Sequence, residues 1–181
     1  LLDLSRIEAG NLRPQIGWYD LGALVDDVLG RLRPLTAQHK VVVAVPENLP
    51  PVPLDYVEID QVLSNLIENA VKYTPAGTEI RISARRVGAE LCVEVADLGP
   101  GIPAQVLPHL FESFYRGTER GPRPIGTGLG LSVAKGLVEA HGGHIEAESQ
   151  PGQGARFSFS LPMSSPDGVS DAAVLLGKEK E

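Results

Sequence analysis

The stretch from Asp55 to Tyr73 constrains this chain most, because its apolar residues recur at helical spacing over four to five turns. Ile59, Val62, Leu63, Leu66, Ile67, Ala70 and Val71 fall on one arc. Gln61, Asn65, Glu68, Asn69 and Lys72 fall on the other. Asparagine is a poor choice for that wet arc. It is roughly half a kcal/mol worse than alanine in a helix, because its side chain competes for backbone groups. Side chains four apart point the same way, so Asn65 and Asn69 can offer carbonyl oxygens to one hard cation, with Lys72 a turn further on for phosphate. A solvated polar face would give the same letters, and both readings stand on this helix alone.

The 181 residues suffice for one well-buried core and are too few for two ordinary domains. A net charge of -7 argues against nucleic acid or an anionic membrane as the main partner, so any bound anion must be held by local groups. Cys92 is the single cysteine, which excludes a disulfide framework and a CxxC metal site and makes a reducing, cytoplasmic compartment the expectation. No apolar run approaches the roughly 20 residues that span a bilayer. The chain opens on Leu1, as a piece cut from something longer would.

Periodicity and breakers predict the remaining elements. Residues 1–9 read as the last turns of a helix stopped by Gly10, and residues 15–19 as a short extended stretch. Asp20 caps a helix reaching about His39, which Pro34 can kink. A strand over residues 41–45 ends in a proline-rich loop over residues 46–53. Residues 79–87 and 90–96, joined through Gly88-Ala89, form a hairpin, and a loop follows from Asp97 to Pro103. Residues 104–114 read as a short helix broken by Pro108, and residues 116–127 as a mobile segment without apolar period. A helix over residues 129–140 precedes a closing hairpin of residues 145–149 and 156–161, and a tail begins after Pro162.

Three further segments carry chemistry. Asp97-Leu98-Gly99-Pro100-Gly101-Ile102 stands where a buried strand ends, and its glycines let backbone approach a ligand. A carboxylate accepts hydrogen bonds only, so Asp97 suits the exocyclic amine of adenine and rejects the carbonyl of guanine; a plain Asp-Gly turn is the alternative. Gly126-Thr127-Gly128-Leu129-Gly130 opens a helix whose free N–H groups can hold phosphate, or else is a flexible linker. Its spacing fits neither the P-loop nor the dinucleotide fingerprint. Phe111 and Phe114 precede the mobile segment, as lid anchors or as ordinary core, with Arg116 in reach of a terminal phosphate.

In order and spacing these segments resemble the N, G1, F and G2 boxes of the catalytic ATP-binding domain of sensor histidine kinases, relatives of the ATPase domains of gyrase, the heat-shock chaperone and mismatch-repair proteins. The resemblance covers residues 11–162, and the Gly-Pro-Gly-Ile-Pro form of its second box is similar to that of the potassium-responsive kinases. It implies an α/β (α+β) two-layer sandwich of the Bergerat type, with a mixed sheet and helices on one face. It implies ATP and Mg²⁺ as cofactors, the metal on Asn69 with Asn65 nearby. Lys72 and Arg116 would meet phosphate, Tyr73 would pack near the base and Asp97 would read the adenine amine. Gly99, Gly101, Ile102 and Phe114 would line the pocket, and Gly126, Thr127, Gly128, Leu129 and Gly130 would hinge the lid and meet the phosphates.

Residues 1–10 resemble the end of the family's dimerisation and phosphotransfer domain, and residues 163–181 are the tail. The expected partners are that upstream domain of the same parent, a homodimer open to an inner-membrane anchor, and a response regulator. The family's acceptor is a histidine followed by an acid, yet His39, His109, His141 and His144 precede Lys, Leu, Gly and Ile. The chain is therefore expected to bind Mg-ATP and pass phosphate to a histidine it does not carry. His141 and His144 lack a third ligand nearby and read as flanking a helix-to-strand turn. Related hydrolytic ATPases place a general base where Asn65 stands, and an amide cannot take a proton. Hydrolysis is the runner-up, and a nucleotide-sensing module without transfer the second rival.

Overall fold

In the computed structural model, residues 12–115 and 128–164 are described. The elements run β1 (Gly17–Tyr19), α1 (Leu21–Thr36), β2 (Lys40–Ala44), β3 (Val52–Leu54), α2 (Tyr56–Tyr73), β4 (Glu79–Val87), β5 (Glu90–Asp97), α3 (Gly130–Ala140), β6 (His144–Ser149) and β7 (Ala155–Pro162). Five strands make one mixed sheet in the order β2-β4-β5-β7-β6, with β2 parallel to β4 and the other pairs antiparallel.

Alternation on the strands decides which face is covered. Ile80 and Ile82, Val93 and Val95, Phe157 and Phe159 point one way and are essentially excluded from water. α2 lies against β4 and β5, α3 against β6 and β7, and α1 packs on α2. The opposite face carries Arg85, Glu94, Glu146, Arg156 and Ser158, with Arg156 3.3 Å from Glu94 and 3.4 Å from Glu148. Polar side chains there leave nothing for a second helix layer to bury.

Local chemistry sets the ends. Asp20 accepts the Ala23 N–H at 3.0 Å, and Asp55 accepts those of Val57 at 3.0 Å and Glu58 at 3.2 Å, so α1 and α2 each begin on an aspartate cap. The apolar stripe of α2 is sealed, with Ile59, Val62, Leu63 and Leu66 at 0% exposure. Burial of each contributes about 1.5–3 kcal/mol. Gly88 has φ +62°, which suits the first position of a two-residue hairpin turn between Val87 and Glu90.

Three expectations are corrected. The proline-rich loop contains a strand, since Val52–Leu54 pairs antiparallel with Gly17–Tyr19 in a separate two-stranded sheet. Residues 104–114 do not form a helix beyond a single 3-10 turn at Leu107–His109, because Pro108 and the pinned loop before it deny the backbone a continuous ladder. α1 ends at Thr36, short of His39, with Pro34 inside its last turn.

Candidate nucleotide site

Contacts between distant segments bring the four motifs together. Midway along α2 the Asn65 amide donates to the Gly130 carbonyl at 2.9 Å, joining the first motif to the start of α3. Thr74 follows α2, and a Cβ on Gly99 would stand 2.6 Å from its Cγ2, so the end of the same helix abuts the Asp97 loop. The Phe114 N–H donates to the Gly128 carbonyl at 3.1 Å, linking the aromatic segment to the glycine-rich turn.

The Asp97 loop is the most tightly built part. Asp97 closes β5, is 8% exposed, and accepts the Gly99 N–H at 2.8 Å. Burial raises its pKa, and hydrogen bonds from the Gly99 and Ala155 backbone pull in the other direction. Gly101 has φ +77°, and a Cβ there would stand 2.1 Å from the Gln150 carbonyl oxygen. The turn between β6 and β7 thus clamps the loop. Gly152 N–H donates to Pro100 at 2.6 Å, Ile102 N–H donates to Ser149 Oγ at 2.8 Å, and Ser149 Oγ donates to Gly154 at 2.6 Å. Gly154 also has φ +77°, with the Asp97 carbonyl oxygen 1.9 Å from where a Cβ would be.

The two asparagines differ. Gln61 Nε2 donates to Asn65 Oδ1 at 2.9 Å while the Asn65 amino group is held by Gly130, so both ends of that amide are engaged. Asn69, half-exposed, has a side-chain amide with no hydrogen-bond partner among the described residues. Lys72 Nζ lies 5.0 Å above the ring of Tyr73, which is 51% exposed. Phe111 and Phe114 part company as well. Phe111 packs edge-on against Phe157 at 6.5 Å, whereas Phe114 is 65% exposed with φ +63°. Leu129 precedes α3 and its carbonyl accepts from Ser132 Oγ at 2.9 Å. Arg116, Gly126, Thr127 and the lid assigned to residues 116–127 lie outside the described residues.

Sequence reasoning missed Gln61 as the partner that orients Asn65, Thr74 under Gly99, and the 149–154 turn beneath the Asp97 loop. The last left a trace in Gly152-Gln153-Gly154. His141 sits at the C-terminal end of α3, flanking the helix-to-strand turn as expected, and is buried there. No group of His, Cys, Asp and Glu among the described residues could hold a metal by itself. No helix among them is long and apolar enough to cross a membrane.

Comparison with known proteins agrees with the fold. The family described as histidine kinase-, DNA gyrase B- and HSP90-like ATPase matches residues 54–165. The sensor protein KdpD of Escherichia coli is 38% identical over 162 residues, covering 90% of this chain and 18% of that protein. The alginate biosynthesis sensor protein KinB of Pseudomonas aeruginosa is 36% identical over 166 residues, covering 90% of this chain and 27% of that protein. The full-length ShkA structure in complex with AMPPNP superposes with a TM-score of 0.79 at 28% identity, covering 89% of this chain and 34% of that one. The catalytic domain of histidine kinase ThkA superposes with a TM-score of 0.73 at 26% identity, covering 83% and 99%. The chain thus spans less than a third of KdpD or KinB, and nearly all of an isolated catalytic domain. It belongs to the family of histidine kinase-, DNA gyrase B- and HSP90-like ATPases, as an ATP-binding catalytic domain of the histidine kinase kind.

Proposed function

We propose that this domain holds Mg-ATP between α2, the Asp97 loop and the start of α3, and delivers the terminal phosphate to a histidine on the phosphotransfer domain of its parent. A response regulator then receives it, and the parent works as a homodimer. Residues 11–162 are the catalytic unit in this reading, residues 1–10 the end of the phosphotransfer helix, and residues 163–181 a tail. The observation that carries it is the Asp97 carboxylate, buried at a strand end beside glycines whose missing side chains leave its loop no room for substitution.

Asp97 accepts from the adenine amine, and Gly99, Gly101 and Ile102 shape the wall beside it. Lys72 and, beyond the described residues, Arg116 contact phosphate oxygens. The residues present fit a magnesium ion: Asn69 offers a neutral oxygen with no other partner among the described residues, and Mg²⁺ takes only one or two protein ligands beside phosphate oxygens and water. When bound, the ion neutralises phosphate charge. Asn65 holds α2 against the first residue of α3, and the N–H groups at that helix start face the phosphates. Transfer then rests on positioning and electrostatics, since phosphoryl transfer asks little covalent chemistry of the protein. Hydrolysis lacks its base here: Asn65 cannot take a proton, and Glu68 is exposed about 60° round the helix from it.

Labelled ATP tests the reading. Incubated alone with ATP labelled at the terminal phosphate, the chain stays unlabelled. Addition of the parent's phosphotransfer domain gives acid-labile label on that domain, slowly, because the two are untethered. Label on His39, His109, His141 or His144 of this chain, or free phosphate without transfer, would refute it.

A further inference from the structure

The far end of the α2–α3 pair holds a cluster of ionisable groups that nucleotide binding does not use. α3 runs antiparallel to the first half of α2, with Gly130 against Asn65 at one end and His141 against Asp55 at the other. The His141 ring, its side chain 1% exposed, accepts the Asp55 N–H on Nε2 at 3.0 Å and donates from Nδ1 to the Leu137 carbonyl at 2.8 Å. Only the neutral ring protonated on Nδ1 makes both bonds. Beside it, Glu58 Oε2 is buried with no hydrogen-bond partner among the described residues, 3.7 Å from His141 Nδ1.

That distance does not make an ion pair. Burial disfavours the charged form of each group, pushing the Glu58 carboxyl up to about 7 and the His141 ring down. Asp55 is the charged group facing both. Its carboxylate already accepts from Val57, Glu58 and Gln15 and adds repulsion to Glu58. The positive end of α2 favours a carboxylate by only about 0.3–1 kcal/mol, less than the cost of burying it without a partner.

We infer that Glu58 and His141 are a positioning pair for the nucleotide site, pinning the end of α3 to the cap of α2 while Glu58 is uncharged and releasing it when Glu58 ionises. An ionised Glu58 has no donor on Oε2. It gains one by turning to water, which opens the turn next to His141, or by drawing a proton onto the ring, which ends Nε2 acceptance from Asp55. Either way the link that holds α3 at its remote end is lost. An eleven-residue helix about 16 Å long moves as a rod, so its other end, Gly130, shifts against Asn65.

The inference rests on the nucleotide-site reading for its functional arm and stands apart from it for its structural arm. Affinity of the chain for Mg-ATP, titrated calorimetrically from pH 6 to pH 8, should fall in the wild type by roughly fivefold or more relative to Glu58→Gln, in which the ionisation of the nucleotide cancels. Parallel profiles overturn the pairing. Independently of nucleotide and of any variant, carboxyl-carbon resonances should show Glu58 titrating near neutrality, with the amide resonances of Asp55 and Gly130 following the same midpoint. A Glu58 already ionised at pH 6, or a Gly130 amide blind to its titration, overturns the proposal. Absence of saturable nucleotide binding at every pH refutes the site reading instead, and leaves the pair to be judged by the resonances.

Discussion

The two ends of the site are built differently. At the base end, Asp97 is buried, and its loop is stitched to the β6–β7 turn by backbone bonds and by glycines at which a Cβ would overlap a carbonyl oxygen. At the phosphate end, Asn69 is partly exposed with no side-chain partner among the described residues, Phe114 is open to solvent, and Lys72 rests on a neighbouring ring. The base end is preorganised by the fold, so its ordering cost is met on folding. The phosphate end leaves its donors and acceptors to be ordered by the ligand.

Substitutions should therefore act on stability at one end and on affinity at the other. The largest effect belongs to Gly154→Ala: a methyl 1.9 Å from the Asp97 carbonyl oxygen, at φ +77°, cannot be absorbed by a side-chain rotation. Urea denaturation should show a loss of about 3 kcal/mol or more. A variant of wild-type stability would mean that the β6–β7 turn does not clamp the Asp97 loop.

Asp97→Asn comes next and tests whether the rigid end reads the base. An amide presents a donor where the carboxylate only accepts, so ATP affinity should drop by about 1.5–3 kcal/mol and the preference over GTP should narrow. Nucleotide titrations that keep the wild-type preference would place base recognition elsewhere. Asn69→Ala should be smaller in scope, removing about 1–2 kcal/mol of the Mg²⁺-dependent part of the affinity while leaving the melting temperature close to wild type. Its comparison with Asn65→Ala sharpens the contrast between the amides, since loss of the Gln61–Asn65–Gly130 chain should lower stability too. Equal stability in both variants would erase the distinction.

The pH dependence of stability adds a sign. A carboxyl whose folded pKa lies near 7, above its ordinary 4.5, contributes most fully at low pH and loses its contribution as pH rises from about 4.5 to about 7. Relative to Glu58→Gln, the wild-type chain should be destabilised by up to about 3 kcal/mol above pH 7.

What the sequence determined by itself was whatever is written at short range. The 3.6-residue stripe of α2, the aspartate caps, the hairpin turn at Gly88 and the arc carrying Gln61, Asn65 and Asn69 all depend on neighbours within a few residues. Residue types at fixed spacing carried the family likeness for the same reason. Tertiary structure decided what depends on the partner across space. Val52–Leu54 becomes a strand only because Gly17–Tyr19 lies beside it. Phe111 packs on the core because Phe157 faces it, while Phe114, three residues on, is open to solvent. Asn65 is held at both ends because Gly130 arrives from a distant part of the chain, whereas Asn69, one turn along the same helix, meets no such group among the described residues. Glu58 reads in one dimension as an ordinary first-turn acid, and α3 turns it into a buried carboxyl. Periodicity specifies which side of an element faces inward; which group waits there is set by packing between segments far apart in the chain, and that contact alone gives a buried polar atom its partner or denies it one.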